Sequence, residues 1–81
     1  MDAKTTGNLL ARITLIPGLM GGKPTIRGMR FGVSDVLELL ASGMSTSAIL
    51  EQHPLLEEED IKASLLYASL KIKNAFIINA A

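Results

Sequence analysis

From Val33 onward the apolar positions recur at helical spacing: Val33, Val36, Leu37 and Leu40 fall at i, i+3, i+4 and i+7, along one face of a helix. Ser34 stands where an N-capping hydroxyl is expected, and Gly43 falls just past the end. A second, short helix is expected from about Thr46 to His53, capped by Ser45 or Ser47, with Ile49 and Leu50 turned inward and Pro54 as its stop. The third is the longest. Ile61, Leu65, Ala68 and Ile72 mark one stripe, widened by Leu66 and Leu70. Glu57 to Asp60 occupy its first turn as a solvated run that suits the helix dipole. Glu58 and Lys62 make a favourable i, i+4 pair.

Before Gly32 the pattern is that of strand and turn. "RITLI", Arg12 to Ile16, alternates and is β-branched. "PG" breaks it, "GG" gives a second turn, and "PTIRGMRF" offers another extended run around Thr25 to Arg27. Pro24 biases Lys23 toward extended backbone angles. A hairpin on its own is marginal in water, so it must pack on the helices or pair with another copy. The pattern predicts one domain over 1–81, mainly α, with a short N-terminal β-hairpin or arm (12–31) before a three-helix unit (33–78). The three helices are joined by "SGMS" and "HPLL", and the second joint gives helix–turn–helix spacing, loosened slightly by its proline.

Composition narrows the picture. The 81 residues suffice for one modest core without tryptophan, and a chain this small buries only about 60–65% of its unfolded surface. With no cysteine there is no disulfide framework and no thiolate metal site. The start, "MDAKTTGNLL", lacks the basic patch and apolar run of a secretory leader. No apolar stretch approaches the roughly 20 residues needed to span a bilayer. A cytoplasmic domain with no membrane role is expected.

Net charge is zero but unevenly spread. Through Gly32 there are Lys4, Arg12, Lys23, Arg27 and Arg30 against Asp2 alone; between Val33 and Asp60 stand only acids. Such asymmetry can steer a partner toward one face.

The glycine-rich segment "GLMGGKP" resembles a P-loop only superficially. Gly18 is one residue too close to the Gly-Lys pair, and Pro24 stands where a Ser or Thr should hold magnesium. Proline also removes a backbone N–H from the place where amides should point at phosphate. His53, the only histidine, has no second ligand at metal spacing and reads as a helix-end residue covering apolar surface. No catalytic, cofactor-binding or metal-ligating residue is expected, and the chain reads as a binding protein rather than an enzyme.

The order "GGKPTIRGMRFGV" resembles the signature of the family known as domain of unknown function 433, and "LLASGMSTSAILEQHPLL…DIKASLLYA" resembles its continuation. The similarity covers Ile13 to about Ala68. The matching positions are Gly22, Lys23, Pro24, Ile26, Arg27, Gly28, Arg30 and Val33. Met29 departs from the usual threonine, His53 from the usual aromatic, and Glu57 from the usual hydroxyl cap. Ser47 and Ala48 replace commonly acidic positions. The resemblance implies a VapB-like antitoxin with a homeodomain-like helix–turn–helix, homodimeric, paired with a PIN-like nuclease toxin and able to bind DNA.

The residues qualify that implication. Four carboxylates at the start of the last helix oppose the usual docking into the major groove. The basic groups lie instead on the arm: Lys23, Arg27 and Arg30, with Arg12 across the hairpin. They either contact nucleic acid or a partner, or anchor the hairpin, with Arg27 or Arg30 paired to Asp35 or Glu38. Gly22, Pro24 and Gly28 read as structural turn residues. Phe76, Ile77 and Ile78 extend the apolar pattern beyond the core and read as an interface, with a second copy or with a toxin. Two other readings stay open: a stand-alone DNA-binding regulator, and a dimerisation module with no DNA role.

Overall fold

The computed structural model describes residues 1–79, with side chains through residue 74. The interface expected at Phe76, Ile77 and Ile78 therefore falls on side chains outside the described residues. Helix α1 (Ala3–Leu10) leads into strand β1 (Ile13–Thr14), which pairs with β2 (Thr25–Ile26). Helices α2 (Val33–Ala41), α3 (Thr46–Gln52) and α4 (Glu58–Asn79) follow. The described residues are thus mainly helical, with four α-helices and a small antiparallel sheet.

Helix α1 is one more helix than the sequence pattern predicts. Asp2 caps it, its carboxylate accepting the Thr5 N–H at 2.7 Å. Its only buried residue is Leu9, so there is no apolar period long enough to declare it. The helix lies against α4, as do α2, α3 and β1.

The arm pairs within the chain. Ile13 stands opposite Ile26 and Thr14 opposite Thr25, two residues per strand where Arg12 to Ile16 offered five. The Thr14 and Thr25 hydroxyls meet across the ladder at 2.7 Å, and Thr14 Oγ1 also accepts the Gly28 N–H at 3.0 Å. Fully buried Thr25 is therefore satisfied. Beyond β2 the chain reverses through Arg27 and Gly28, at φ +45° and +70°, closed by the Met29 N–H donating to Ile26 C=O at 2.8 Å. Two successive positive-φ residues match the right-handed strand twist. Glycine takes that conformation freely; an arginine does so at a cost of about 1–2 kcal/mol.

Helices α2 and α4 begin in the same way. The Asp35 carboxylate accepts the Gly32 N–H at 2.8 Å, and the Asp60 carboxylate accepts the Glu57 N–H at 2.8 Å. In each case an aspartate in the third helical position reaches back to the residue before the helix, one half of a capping box. Gly32, and not Ser34, precedes α2. A Cβ at Gly32 would stand 3.1 Å from Asp35 Oδ2, so the returning carboxylate uses the space a side chain would fill. Helix α3 is capped by Ser45, whose Oγ accepts the Ala48 N–H at 3.1 Å. It ends at Gln52, where the His53 ring meets Phe31 edge-on at 5.0 Å.

Ile26, Val33, Val36, Ile49, Leu56 and Ile61 form the buried cluster. On α4 the predicted stripe is only partly inward: Ile61 is buried and Leu66, Ala68 and Leu70 are half-buried, but Leu65 and Ile72 are 49% and 56% exposed. The buried face runs instead through Asp60, Ile61, Ala63 and Ser64, about a quarter turn away. Two polar residues hold interior positions because each finds its partners there, Ser64 Oγ donating to the Asp60 carbonyl at 2.9 Å. Counting apolar residues therefore misplaces the centre of the buried face.

Two substitutions test this packing. Ile49→Ala, at a fully buried position, is expected to lower unfolding free energy by about 2–5 kcal/mol in a urea titration. Gly28→Ala meets no close atom beyond Ile16 Cδ1 at 3.8 Å, so its loss is expected from backbone strain alone, about 1–2 kcal/mol.

Candidate functional site

The arm and the start of α4 meet at one carboxylate. Asp60 is completely buried, and four N–H-bearing groups converge on it. Arg27 forks onto both oxygens, Nε to Oδ1 at 3.1 Å and Nη2 to Oδ2 at 2.8 Å. Arg12 Nη1 reaches Oδ1 at 3.0 Å from across the hairpin, and the Glu57 N–H is the fourth donor, to Oδ2 at 2.8 Å. Spare donor capacity is used nearby. Arg12 Nη1 also bonds Glu57 Oε1 at 2.7 Å, and Arg27 Nη2 donates to Leu55 C=O at 2.7 Å.

Local backbone geometry sets this convergence. The Arg27 N–H donates to Arg12 C=O at 2.8 Å, so the ladder places both arginines beside each other at the strand ends. The left-handed backbone at Arg27 then directs its side chain toward α4 rather than along the strand. On α4, Asp60 follows Leu56 and Glu57 in a helix start whose flanking apolar residues, Leu56 and Ile61, are both buried. That is the arrangement of a hydrophobic staple.

The electrostatics follow. Burial pushes the Asp60 carboxyl up, but the guanidinium of Arg27, the Glu57 N–H and Arg12 outweigh it and hold it below the usual carboxylate range. Arg12 is pushed up chiefly by its bond to Glu57, and Arg27 chiefly by its bond to Asp60. Two guanidiniums face two carboxylates, so the cluster carries no net charge. Asp60 does not belong to a solvated acidic run, although Glu57, Glu58 and Glu59 beside it are exposed. The expected solvated run therefore holds for its three glutamates, and the expected i, i+4 pair forms, with Lys62 Nζ at 3.8 Å from Glu58 Oε1.

The arginines also do not pair as the sequence suggested. Neither Asp35 nor Glu38 meets Arg27 or Arg30; Asp35 is committed to Gly32. Arg12 and Arg27 are turned inward to α4, whereas Lys23 and Arg30 are exposed and, among the described residues, form no ion pair. Gly22 takes φ +80° and Gly28 φ +70°, with Pro24 C=O accepting the Val33 N–H at 3.0 Å between them. Sequence reading missed Asp60. Its signal was the pattern Leu-x-x-x-Asp-Ile, an aspartate at the third helical position inside an apolar pair. Among the described residues no group of three or more ligating side chains gathers as for a metal. No helix among them is long and apolar enough to cross a membrane.

Residues 13–68 match a family described as "Protein of unknown function (DUF433)". The uncharacterized protein y4eO of Sinorhizobium fredii is 39% identical over 56 residues, which are 69% of this chain and 25% of that protein. The chain thus matches about a quarter of the length of this curated relative. A crystal structure of a DUF433 member protein from Anabaena variabilis superposes with a TM-score of 0.72 at 22% identity. It covers all of this chain and 87% of that one, a likeness of fold.

The cluster predicts a pH dependence and a substitution effect. Because the folded Asp60 binds its proton less readily than the unfolded one, its contribution is complete above about pH 4. It is lost as pH falls through the lower, folded value, so thermal melts should show stability declining on acidification and recovering on return to neutrality. Asp60→Asn is expected to cost about 2–3 kcal/mol at pH 7, since the guanidiniums left behind are partly hydrated, and to flatten that acid limb.

Proposed function

The chain belongs to the DUF433 family, and from the geometry of its surface we propose that it is a non-enzymatic, antitoxin-like binding protein that neutralises a PIN-like nuclease toxin. The observation that carries this reading is the outward apolar row on α4. Leu65 and Ile72 lie seven residues apart on one side of the helix, about half exposed, and the helix leads into the apolar sequence Phe76, Ile77 and Ile78. Apolar side chains at this spacing are what a partner helix or groove covers. In this reading the protein acts in the cytoplasm as a homodimer and works sterically, by occupying the toxin's surface.

Operator binding is a second reading. It is supported by Lys23 and Arg30, exposed on the segment that flanks β2. Here α3 and α4 serve as a homeodomain-like helix–turn–helix. The pairing of Glu57 with Arg12 and the burial of Asp60 remove two of the four carboxylates that oppose phosphate. Arg27 is a poor probe of this reading, because Arg27→Glu sets a carboxylate against Asp60.

The test is to read the neighbouring open reading frames for a PIN-like product, whose absence contradicts the reading, and to measure RNA cleavage by that product. Equimolar protein is expected to cut the rate by about tenfold or more, as tight binding requires; unchanged cleavage contradicts the antitoxin reading. For DNA, the combined change Lys23→Glu and Arg30→Glu should weaken binding and shrink the slope of log affinity against log salt by about 2–4. A slope already near zero in the unaltered protein excludes phosphate contact.

A further inference from the structure

Two clefts meet on the side of α4 that faces α1 and the loop before β2. In the first, about 330 Å³, Lys23 and Lys71 flank a floor that includes Val33, Leu37 and Tyr67. The second, about 270 Å³, shares Tyr67 and Lys71 and continues along Leu10 and Leu15. Lys71 lies over the Tyr67 ring, its Nζ 5.4 Å from the ring centroid, a cation–π contact that holds the ammonium above the junction. Leu15, at the far end, is 60% exposed. Together they form an apolar trough with an ammonium on the rim and another at its midpoint.

Its charge is one-sided. No aspartate or glutamate lines either cleft. Asp35 and Glu38, the acids of α2, line a different depression with Phe31 and His53. Among the described residues Lys23 and Lys71 form no ion pair. The two arginines that neutralise the nearby acids are spent at Asp60, on another part of α4. An apolar trough whose lining charges are all positive is complementary to one kind of surface.

We infer that this trough is a docking site for an acidic amphipathic segment of a partner protein, its apolar side chains in the two clefts and its carboxylates on Lys23 and Lys71. This rests on the reading of the chain as a protein-binding module and adds the site and the chemistry of the partner. A nucleic acid would meet the lysines but leave a largely aliphatic floor uncovered. Among the described residues a second copy has no free acidic segment to offer: on α2, Asp35 is bonded to Gly32 and Val36 lies in the core. The copy's one acidic run with flanking leucines holds Asp60 fully buried, Glu57 bonded to Arg12, and Leu56 and Ile61 in the core.

The test uses the full chain and a labelled, capped peptide of about 15 residues with leucines at i, i+3 and i+7 and glutamates elsewhere. Fluorescence anisotropy should report saturable binding, with the lysine-for-glutamate counterpart bound at least about tenfold more weakly. The combined change Lys23→Glu and Lys71→Glu should reverse that preference at unchanged helicity. If helicity falls, Lys23→Gln with Lys71→Gln is used, and the glutamate peptide should then bind about tenfold more weakly. Leu15→Ser should weaken the glutamate peptide without altering the charge preference. Equal binding of both peptides, indifference to charge reversal, preference for a DNA duplex, or loss of the trough to self-association each overturns the inference. Peptide binding without nuclease neutralisation would keep the trough and remove the toxin, so the two proposals fail separately.

Discussion

A single aspartate with no access to water, held by two guanidiniums from a hairpin, joins the two halves of this protein. Asp60 begins α4; Arg12 and Arg27 flank the two strands. A carboxylate removed from water must be paired or must give up its charge, and here it is paired on both oxygens. The arrangement gives a two-residue ladder, too small to be stable by itself, a fixed attachment to the longest helix. It also explains why an arginine occupies a left-handed conformation at φ +45°. That conformation directs the guanidinium to Asp60, and the fork of charged hydrogen bonds offsets the backbone strain.

This division of labour among the basic residues shapes the surface. Arg12 and Arg27 are consumed internally and balance Glu57 and Asp60, so the apparent cationic character of the first third of the chain is halved. What remains outward includes Lys4 on α1, Lys23 and Arg30 near β2, and Lys62, Lys71 and Lys73 on α4, with Lys71 over Tyr67. Of these, Lys23, Arg30 and Lys71 stand beside apolar side chains rather than in a continuous basic stripe. Mixed surfaces of that kind suit protein partners better than the phosphate backbone, which rewards charge density alone.

The sequence disclosed the coarse architecture well where one signal governed it. The helical period of Val33, Val36 and Leu37, the stop at Pro54 and the β-branched runs around Ile13 and Ile26 each have a single local cause. Reading faltered where polar residues took interior places. Asp60 and Ser64 sit on the buried face of α4, so apolar periodicity pointed to Leu65 and Ile72, which face outward. Helix α1 escaped notice because Asp2 capping and one buried leucine, Leu9, leave too faint a pattern. The arginine partners were invisible for a further reason. Arg12 lies 48 residues from Asp60 in the chain and Arg27 lies 33, so no local spacing links them. Only the aspartate's place inside a staple and half a capping box was legible beforehand.

The central claim is that Arg27 and Asp60 stabilise the fold as a coupled pair and not as independent surface charges. A double-mutant cycle with Arg27→Met and Asp60→Leu, followed by urea unfolding at pH 7, measures that coupling directly. The account predicts an interaction of about 2–3 kcal/mol, with the double variant far more stable than the sum of the single losses allows. Losses that add to within about 0.5 kcal/mol would contradict it, since the two side chains would then contribute independently.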